Sequence, residues 1–143
     1  MKVIIAGSRG IKAEPGRVLL RMGIEDALSN GIEITEVVCG NSRSGMDKCA
    51  REWAKENSLP VMNCGADYDT NRAFGGYMRN CELVENGDAL IAVTTGTAGT
   101  EHLIRTARAK GLPVFVISVT YEYPGEKAAG GYSPATGRDL AHD

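Results

Sequence analysis

The apolar residues of the chain form five short runs, which are separated by longer amphipathic segments. The runs are rich in valine, isoleucine and alanine and are too short for helices, as is typical of buried strands. They lie at residues 2–6, 36–39, 59–63, 88–93 and 113–117. The segments between them carry apolar positions at helical spacing. This alternation predicts an α/β fold, a Rossmann-like three-layer domain with a mainly parallel sheet of about five strands.

The alternation stops after Thr120. Residues 121–143 contain several glycines, two prolines and no convincing periodicity. The sequence therefore predicts one domain over residues 1–120, followed by a segment over residues 121–143 that is either a mobile tail or an arm on a partner subunit. A small α/β domain has shallow loops, and a ligand bound there needs a second wall. We therefore expect a homodimer or higher homo-oligomer, with the site close to a subunit interface.

Composition and charge narrow the function classes. The net charge of −2 leaves no basic excess to neutralise a nucleic-acid backbone, so any phosphate must be recognised locally. The apolar runs are too short to span a bilayer and no signal peptide precedes the first of them, so we expect a cytoplasmic protein without membrane contact. Four cysteines without a CxxC pair, together with only two histidines, predict free thiols and no metal site. We expect no cofactor.

Candidate chemistry lies in three strand-to-helix loops, because ligands of open parallel sheets bind beyond the carboxyl ends of the strands. The first loop follows the first strand and contains Gly7, Ser8 and Arg9. Glycine lets the backbone approach a ligand, serine supplies a hydroxyl, and arginine can fork onto a phosphate or carboxylate. An ordinary turn after a strand is the competing interpretation.

The second loop, at residues 40–47, places small polar residues ahead of a helix. Backbone N–H groups and the helix dipole favour an anion at such a position. Asp47 either caps the helix or accepts a ribose hydroxyl. The candidate ligand residues of this loop are Asn41, Ser42, Arg43, Gly45 and Asp47.

The third loop, at residues 94–100, contains four threonines and two glycines at the start of a helix. Backbone amides and hydroxyls there predict a cradle that holds a phosphate without net charge. A threonine-capped connection is the alternative, although a cap requires one threonine rather than four. The candidate ligand residues are Thr94, Thr95, Gly96, Thr97, Gly99 and Thr100.

Short motifs along residues 1–117 occur in the order that is typical of the SLOG superfamily. They are residues 3–9, Gly45-Met46-Asp47 with Ala50 and Trp53-Ala54, Ala66-Asp67-Tyr68, Arg79-Asn80 and Gly99-Thr100. The chain most resembles the small DUF2493 (YspA/YpsA-related) branch, and residues 96–100 distantly resemble the PGGxGT motif of the lysine-decarboxylase-like (LOG) phosphoribohydrolases. The resemblance implies a Rossmann-like fold that binds nucleotides or nucleotide-derived signals. Some relatives cleave an N-glycosidic bond, and others are regarded as sensors.

The resemblance adds Arg79 and Asn80 as ligand residues, the arginine for a phosphate and the asparagine for a base or ribose edge. It also adds Asp67 and Tyr68 for a base or ribose, with an ordinary polar loop pair as the alternative. The glutamates of the LOG pattern would fall on His102 and Leu103. No catalytic residue is therefore predicted.

Two functions are compatible with these observations. The first is binding of a phosphate-bearing, nucleotide-derived small molecule, such as an ADP-ribose-like or cyclic nucleotide signal, for sensing or sequestration. The compact length without an effector domain suits sequestration, as in a phage protein that removes an immune signal. The alternative is an N-glycosidase or phosphoribohydrolase acting on a nucleoside monophosphate or related nucleotide, which needs a carboxylate near the anomeric carbon.

Overall fold

The computed structural model describes residues 1–65 and 75–120, which form five strands and four helices. All five strands are parallel and lie in the order β3-β2-β1-β4-β5, which confirms the predicted α/β fold. Each predicted strand is present, with its ends moved by no more than two residues. The elements are β1 (Lys2–Gly7), α1 (Ala13–Ser29), β2 (Glu36–Gly40), α2 (Gly45–Glu56), β3 (Val61–Cys64), α3 (Gly75–Asn86), β4 (Ala89–Thr94), α4 (Ala98–Ala109) and β5 (Val114–Ser118).

Helices cover both faces of the sheet. Successive side chains of a strand point to opposite faces, so neighbouring residues of one strand enter different cores. Ile5 and Ile91 belong to the core beneath α1 and α2, whereas Ile4 and Leu90 belong to the core beneath α3 and α4. Burial on both faces explains why the strands are continuous apolar runs rather than alternating ones.

The strand order determines where a site can form. From β1 the chain proceeds outward to β2 and β3, and it then returns to the other side of β1 to form β4 and β5. The loops that follow β1, β2 and β4 consequently emerge side by side at the carboxyl edge of the sheet. These are the three loops that the sequence singled out. Within the described residues, no helix has the length and apolar character needed to cross a membrane.

All four cysteines are free, as predicted. Cys39, Cys49 and Cys64 are buried, whereas Cys81 is exposed. Burial, together with the neighbouring Asp47 carboxylate, raises the pKa of the Cys39 thiol to about 12. Burial also raises the pKa of Cys49 and of Cys64.

A thiol titration checks this arrangement. In the folded protein near neutral pH, we expect only Cys81 of the four cysteines to react quickly with an aromatic disulfide reagent, because the thiolate is the reactive form. All four should react after unfolding in denaturant. Fast reaction of two or more thiols in the folded protein would contradict the observed packing.

Candidate functional site

Two adjoining clefts lie at the carboxyl edge of the sheet. The wide cleft, of about 1010 Å³, lies between residues 6–13 and residues 41–48. The narrow cleft, of about 300 Å³, lies between the first turns of α3 and α4. Gly7, Arg9 and Arg79 line both clefts. A single extended ligand can therefore contact both.

The wide cleft is strongly cationic although the whole chain is slightly acidic. Among the described residues, Asp47 is the only carboxylate on its wall, against five cationic side chains. These five groups are contributed by the loops after β1 and β2, by the first turn of α2 and by α3, so the fold concentrates positive charge that is dispersed in the sequence. The cationic residues are Arg9, Lys12, Arg43, Lys48 and Arg79.

Two helices begin at the wide cleft. Lys12 and Ser44 are the N-cap residues of α1 and α2, and neither side chain makes a capping hydrogen bond. The first N–H groups of a helix have no partner within the helix, and the helix dipole places positive potential there. The two helix ends therefore add to the attraction that the cleft exerts on an anion.

Two side chains of α2 shape the loop between β2 and α2. Asp47 accepts hydrogen bonds from the backbone N–H groups of Gly40 (3.2 Å) and Ser42 (3.1 Å). Arg51 donates to the carbonyl oxygens of the same two residues. Asp47 is buried, and its two oxygens are engaged in holding the loop. Asp47 therefore holds the loop in place. Capping α2, one of the two roles that the sequence predicted for it, is not what its carboxylate does.

Arg79 lies across the carboxyl ends of β2 and β3. Its Nη1 is 4.0 Å from Oδ2 of Asp47. A Cβ added at Gly40 would lie 3.0 Å from that Nη1, and one added at Gly65 would lie 2.9 Å from the Arg79 Cδ. Gly65 also has a φ of +97°, which disfavours other residues. The two glycines therefore give the arginine room to reach the wall between the clefts.

Ser8 joins the first loop to the third. Its Oγ accepts hydrogen bonds from the Thr97 hydroxyl (2.7 Å) and from the Thr95 backbone N–H (2.9 Å). It also lies 3.2 Å from the Thr100 hydroxyl. Ser8 is buried, so these bonds replace the water that the serine would otherwise bind. The Ser8 side chain therefore holds the first and third loops together.

Thr94 completes this network. Its hydroxyl donates to the Glu101 carboxylate (2.9 Å) and accepts from the Gly96 N–H (2.9 Å). Three threonine hydroxyls of the third loop thus have partners within the protein. On the sequence alone, four threonines are more than a structural role requires, since a helix cap needs one. The structure corrects this interpretation, because three of their hydroxyls form hydrogen bonds between and within the loops.

Replacing Ser8 with alanine tests the role of this network. We expect the free energy of unfolding to fall by about 1–3 kcal/mol, because the Thr95 N–H and the neighbouring hydroxyls lose their buried acceptor. Ser44→Ala serves as the control, since the Ser44 side chain is exposed and makes no capping bond. Urea denaturation of both variants measures the difference. Equal stability of the two variants would contradict the assigned role.

Asn80 and Tyr77 shape the narrow cleft. The Asn80 Nδ2 donates to the Gly99 carbonyl oxygen (3.0 Å) and lies 3.0 Å from Nδ1 of His102. The His102 ring in turn lies against the ring of Tyr77, with 4.4 Å between the ring centroids. These contacts link α3 to the first turn of α4.

No family model matches this chain, and no curated protein matches it. The geometry of the two clefts is therefore the basis on which a function can be proposed.

The structure distributes the predicted ligand residues unevenly. Those on the wide cleft are Gly7, Ser8, Arg9, Asn41, Ser42, Arg43, Gly45, Asp47 and Arg79. The narrow cleft adds Asn80, Thr97, Gly99 and Thr100, whereas Thr94, Thr95 and Gly96 line neither cleft. Asp67 and Tyr68 lie outside the described residues. Sequence reasoning missed Lys12, Lys48, Arg51 and Tyr77.

One of the missed residues left a signal in the sequence. Arg51 lies four positions after Asp47, which places both side chains on the same face of α2. Lys12 and Lys48 left none, because their relevance depends on which loops meet across the cleft. The described residues also contain no group of three histidine, cysteine, aspartate or glutamate side chains that could hold a metal ion.

Proposed function

We propose that this protein binds a phosphate-bearing, nucleotide-derived small molecule and holds the phosphates in the wide cleft. The observation that carries the proposal is the set of five cationic side chains around one cleft of a chain whose net charge is −2. A general affinity for polyanions would need a basic surface, whereas local recognition needs a few cations aimed at one place.

The physical properties of the cleft support such a ligand. Arginine and lysine form charge-assisted hydrogen bonds to phosphate, each contributing about 1.5–3 kcal/mol. The N-termini of α1 and α2 supply further N–H donors. A volume of about 1010 Å³ accommodates a ligand as large as ADP-ribose, and a cyclic nucleotide fits within it as well.

The hydrogen bonds that the carboxylates already accept favour ligand binding without hydrolysis. N-glycoside hydrolysis requires a carboxylate beside the anomeric carbon. The one carboxylate on the wide cleft among the described residues, Asp47, accepts two backbone N–H groups, and Glu101 accepts the Thr94 hydroxyl. We therefore propose sensing or sequestration, which is one of the two roles that the SLOG resemblance implies.

A ligand-recovery experiment tests this function. The purified chain is mixed with AMP, ADP-ribose and cyclic nucleotides, separated from unbound ligand by gel filtration, denatured, and analysed by chromatography. Intact nucleotide recovered with the protein is the expected result. Release of a free base would instead establish an N-glycosidase. Recovery of no nucleotide would contradict the proposal.

A further inference from the structure

The amide of Asn80 presents one oxygen that the described protein does not use. Its Nδ2 contacts two groups, the Gly99 carbonyl oxygen and Nδ1 of His102. A carbonyl oxygen can only accept, so the nitrogen must face it, and this fixes the orientation of the amide. Oδ1 therefore points away from the Gly99 carbonyl oxygen. It is buried and has no hydrogen-bond partner within residues 1–65 and 75–120.

A buried acceptor without a partner is unfavourable and uncommon in folded proteins. Asn80 is only 1% exposed, and it forms part of the wall of the narrow cleft. The complementary ligand group must donate a hydrogen bond. An ionised phosphate oxygen cannot do so, whereas every nucleobase carries an N–H donor and ribose carries hydroxyl donors. The narrow cleft is therefore suited to the part of the ligand that is not phosphate.

Tyr77 provides an aromatic surface on the same cleft. Its side chain is exposed, and its ring packs against His102 at an interplanar angle of 45°. His102 is itself held by Asn80. The Tyr77 ring thus packs against a side chain that is held in place, and 45% of the residue stays exposed to solvent. Exposed aromatic rings of this kind stack on nucleobases, because every base has a flat π face.

We infer that the narrow cleft is a nucleobase subsite, in which Asn80 Oδ1 accepts a base N–H and Tyr77 stacks on the base. The inference rests on the proposed function for the phosphate end of the ligand. Gly7, Arg9 and Arg79 line both clefts, so a nucleotide with its phosphate in the wide cleft can place its base in the narrow one. The ligand class is accordingly a nucleotide rather than a sugar phosphate alone.

Calorimetry on the full chain tests this subsite. The probes are ribose 5-phosphate and the monophosphates of adenosine, guanosine, cytidine and uridine. The nucleotide that binds most tightly should bind at least about tenfold more strongly than ribose 5-phosphate. Stacking and hydrogen bonding of one base contribute enough free energy for such a difference. Tyr77→Ala and Asn80→Ala should each remove most of that advantage and leave the affinity for ribose 5-phosphate unchanged. Tyr77→Phe keeps the ring and should retain the advantage.

Met78→Ala is the matched control, because Met78 is an exposed neighbour on α3 that lines neither cleft. Its nucleotide affinity should equal that of the parent. If ribose 5-phosphate binds as tightly as all four nucleotides, the base subsite is wrong and the phosphate cleft stands. If the advantage survives both alanine substitutions, the base binds elsewhere and the inference is wrong. If no probe binds, the proposed function and the subsite both fail.

Discussion

Replacing Gly7 with alanine is expected to lower the free energy of unfolding by about 1–3 kcal/mol or more. The new Cβ would lie 2.2 Å from the Met46 Cγ and 2.9 Å from the Val93 carbonyl oxygen. Met46 lies in the first turn of α2 and is buried in the core, and the Val93 oxygen accepts the Ser8 N–H. Neither neighbour can move without disturbing the junction of β1 with α2 and β4.

Gly99→Ala is the matched control for Gly7→Ala. A Cβ at Gly99 meets no described atom within 4 Å, and the residue lies in the first turn of α4. Alanine should therefore leave stability unchanged or raise it slightly, because it favours the helical backbone. Urea denaturation of both variants gives the comparison. Equal stability of Gly7→Ala and Gly99→Ala would contradict the packing at the end of β1.

The contrast between these glycines also revises an expectation from the sequence. Gly7 was expected to let a ligand approach the backbone, but the nearest obstacle to a side chain there is Met46. Its small size serves the contact between β1 and α2. Gly99 lines the narrow cleft, and an added Cβ there meets no described atom within 4 Å, so packing among the described residues does not require a glycine at this position.

Removing two cations from the wide cleft is expected to weaken ADP-ribose binding by about tenfold to hundredfold. The variant is Arg43→Ala with Lys48→Ala, two exposed residues of the second loop and the start of α2. Each charge-assisted contact contributes about 1.5–3 kcal/mol, and exposure to solvent reduces that contribution. Calorimetry with ADP-ribose in low and moderate salt measures the loss.

Arg21→Ala with Arg105→Ala is the control for that variant. Both arginines are exposed on helices and line neither cleft, so the net charge changes equally while the clefts stay intact. Its affinity for ADP-ribose should be within about twofold of the parent, since exposed charges beyond a Debye length are screened. Equal losses in the two variants would mean that overall charge, rather than the cleft, attracts the ligand.

The fold was predictable because a parallel sheet covered on both faces produces apolar runs that few other structures produce. The packing of α1 was less predictable. Val18 and Leu28 fit a helical apolar stripe but are 45% and 53% exposed. The stripe that faces the sheet instead includes Gly23, whose position lies directly against Ile91. A glycine carries no hydrophobic signal, so the close approach it permits is invisible in the pattern.

The location of the candidate site was also predictable, because the topology of a parallel sheet brings the loops after its strands to one edge. The roles of individual residues were not. The Thr94 and Thr97 hydroxyls bond within the protein, whereas Lys12 and Lys48 enter the cleft from positions that look like ordinary helix starts. These outcomes depend on which loops face each other, and contacts across loops leave no local pattern.

An amide chemical-shift titration of the full chain with ADP-ribose tests the central claim most directly. Residues 7–13 and 41–48, which form the two sides of the wide cleft, should show the largest shifts. Residues 30–35 and 110–113, in loops that lead into β2 and β5 at the opposite edge of the sheet, should be unchanged. Shifts confined to that opposite edge, or no shifts at millimolar ADP-ribose, would contradict the proposal that this cleft binds a phosphate-bearing nucleotide derivative.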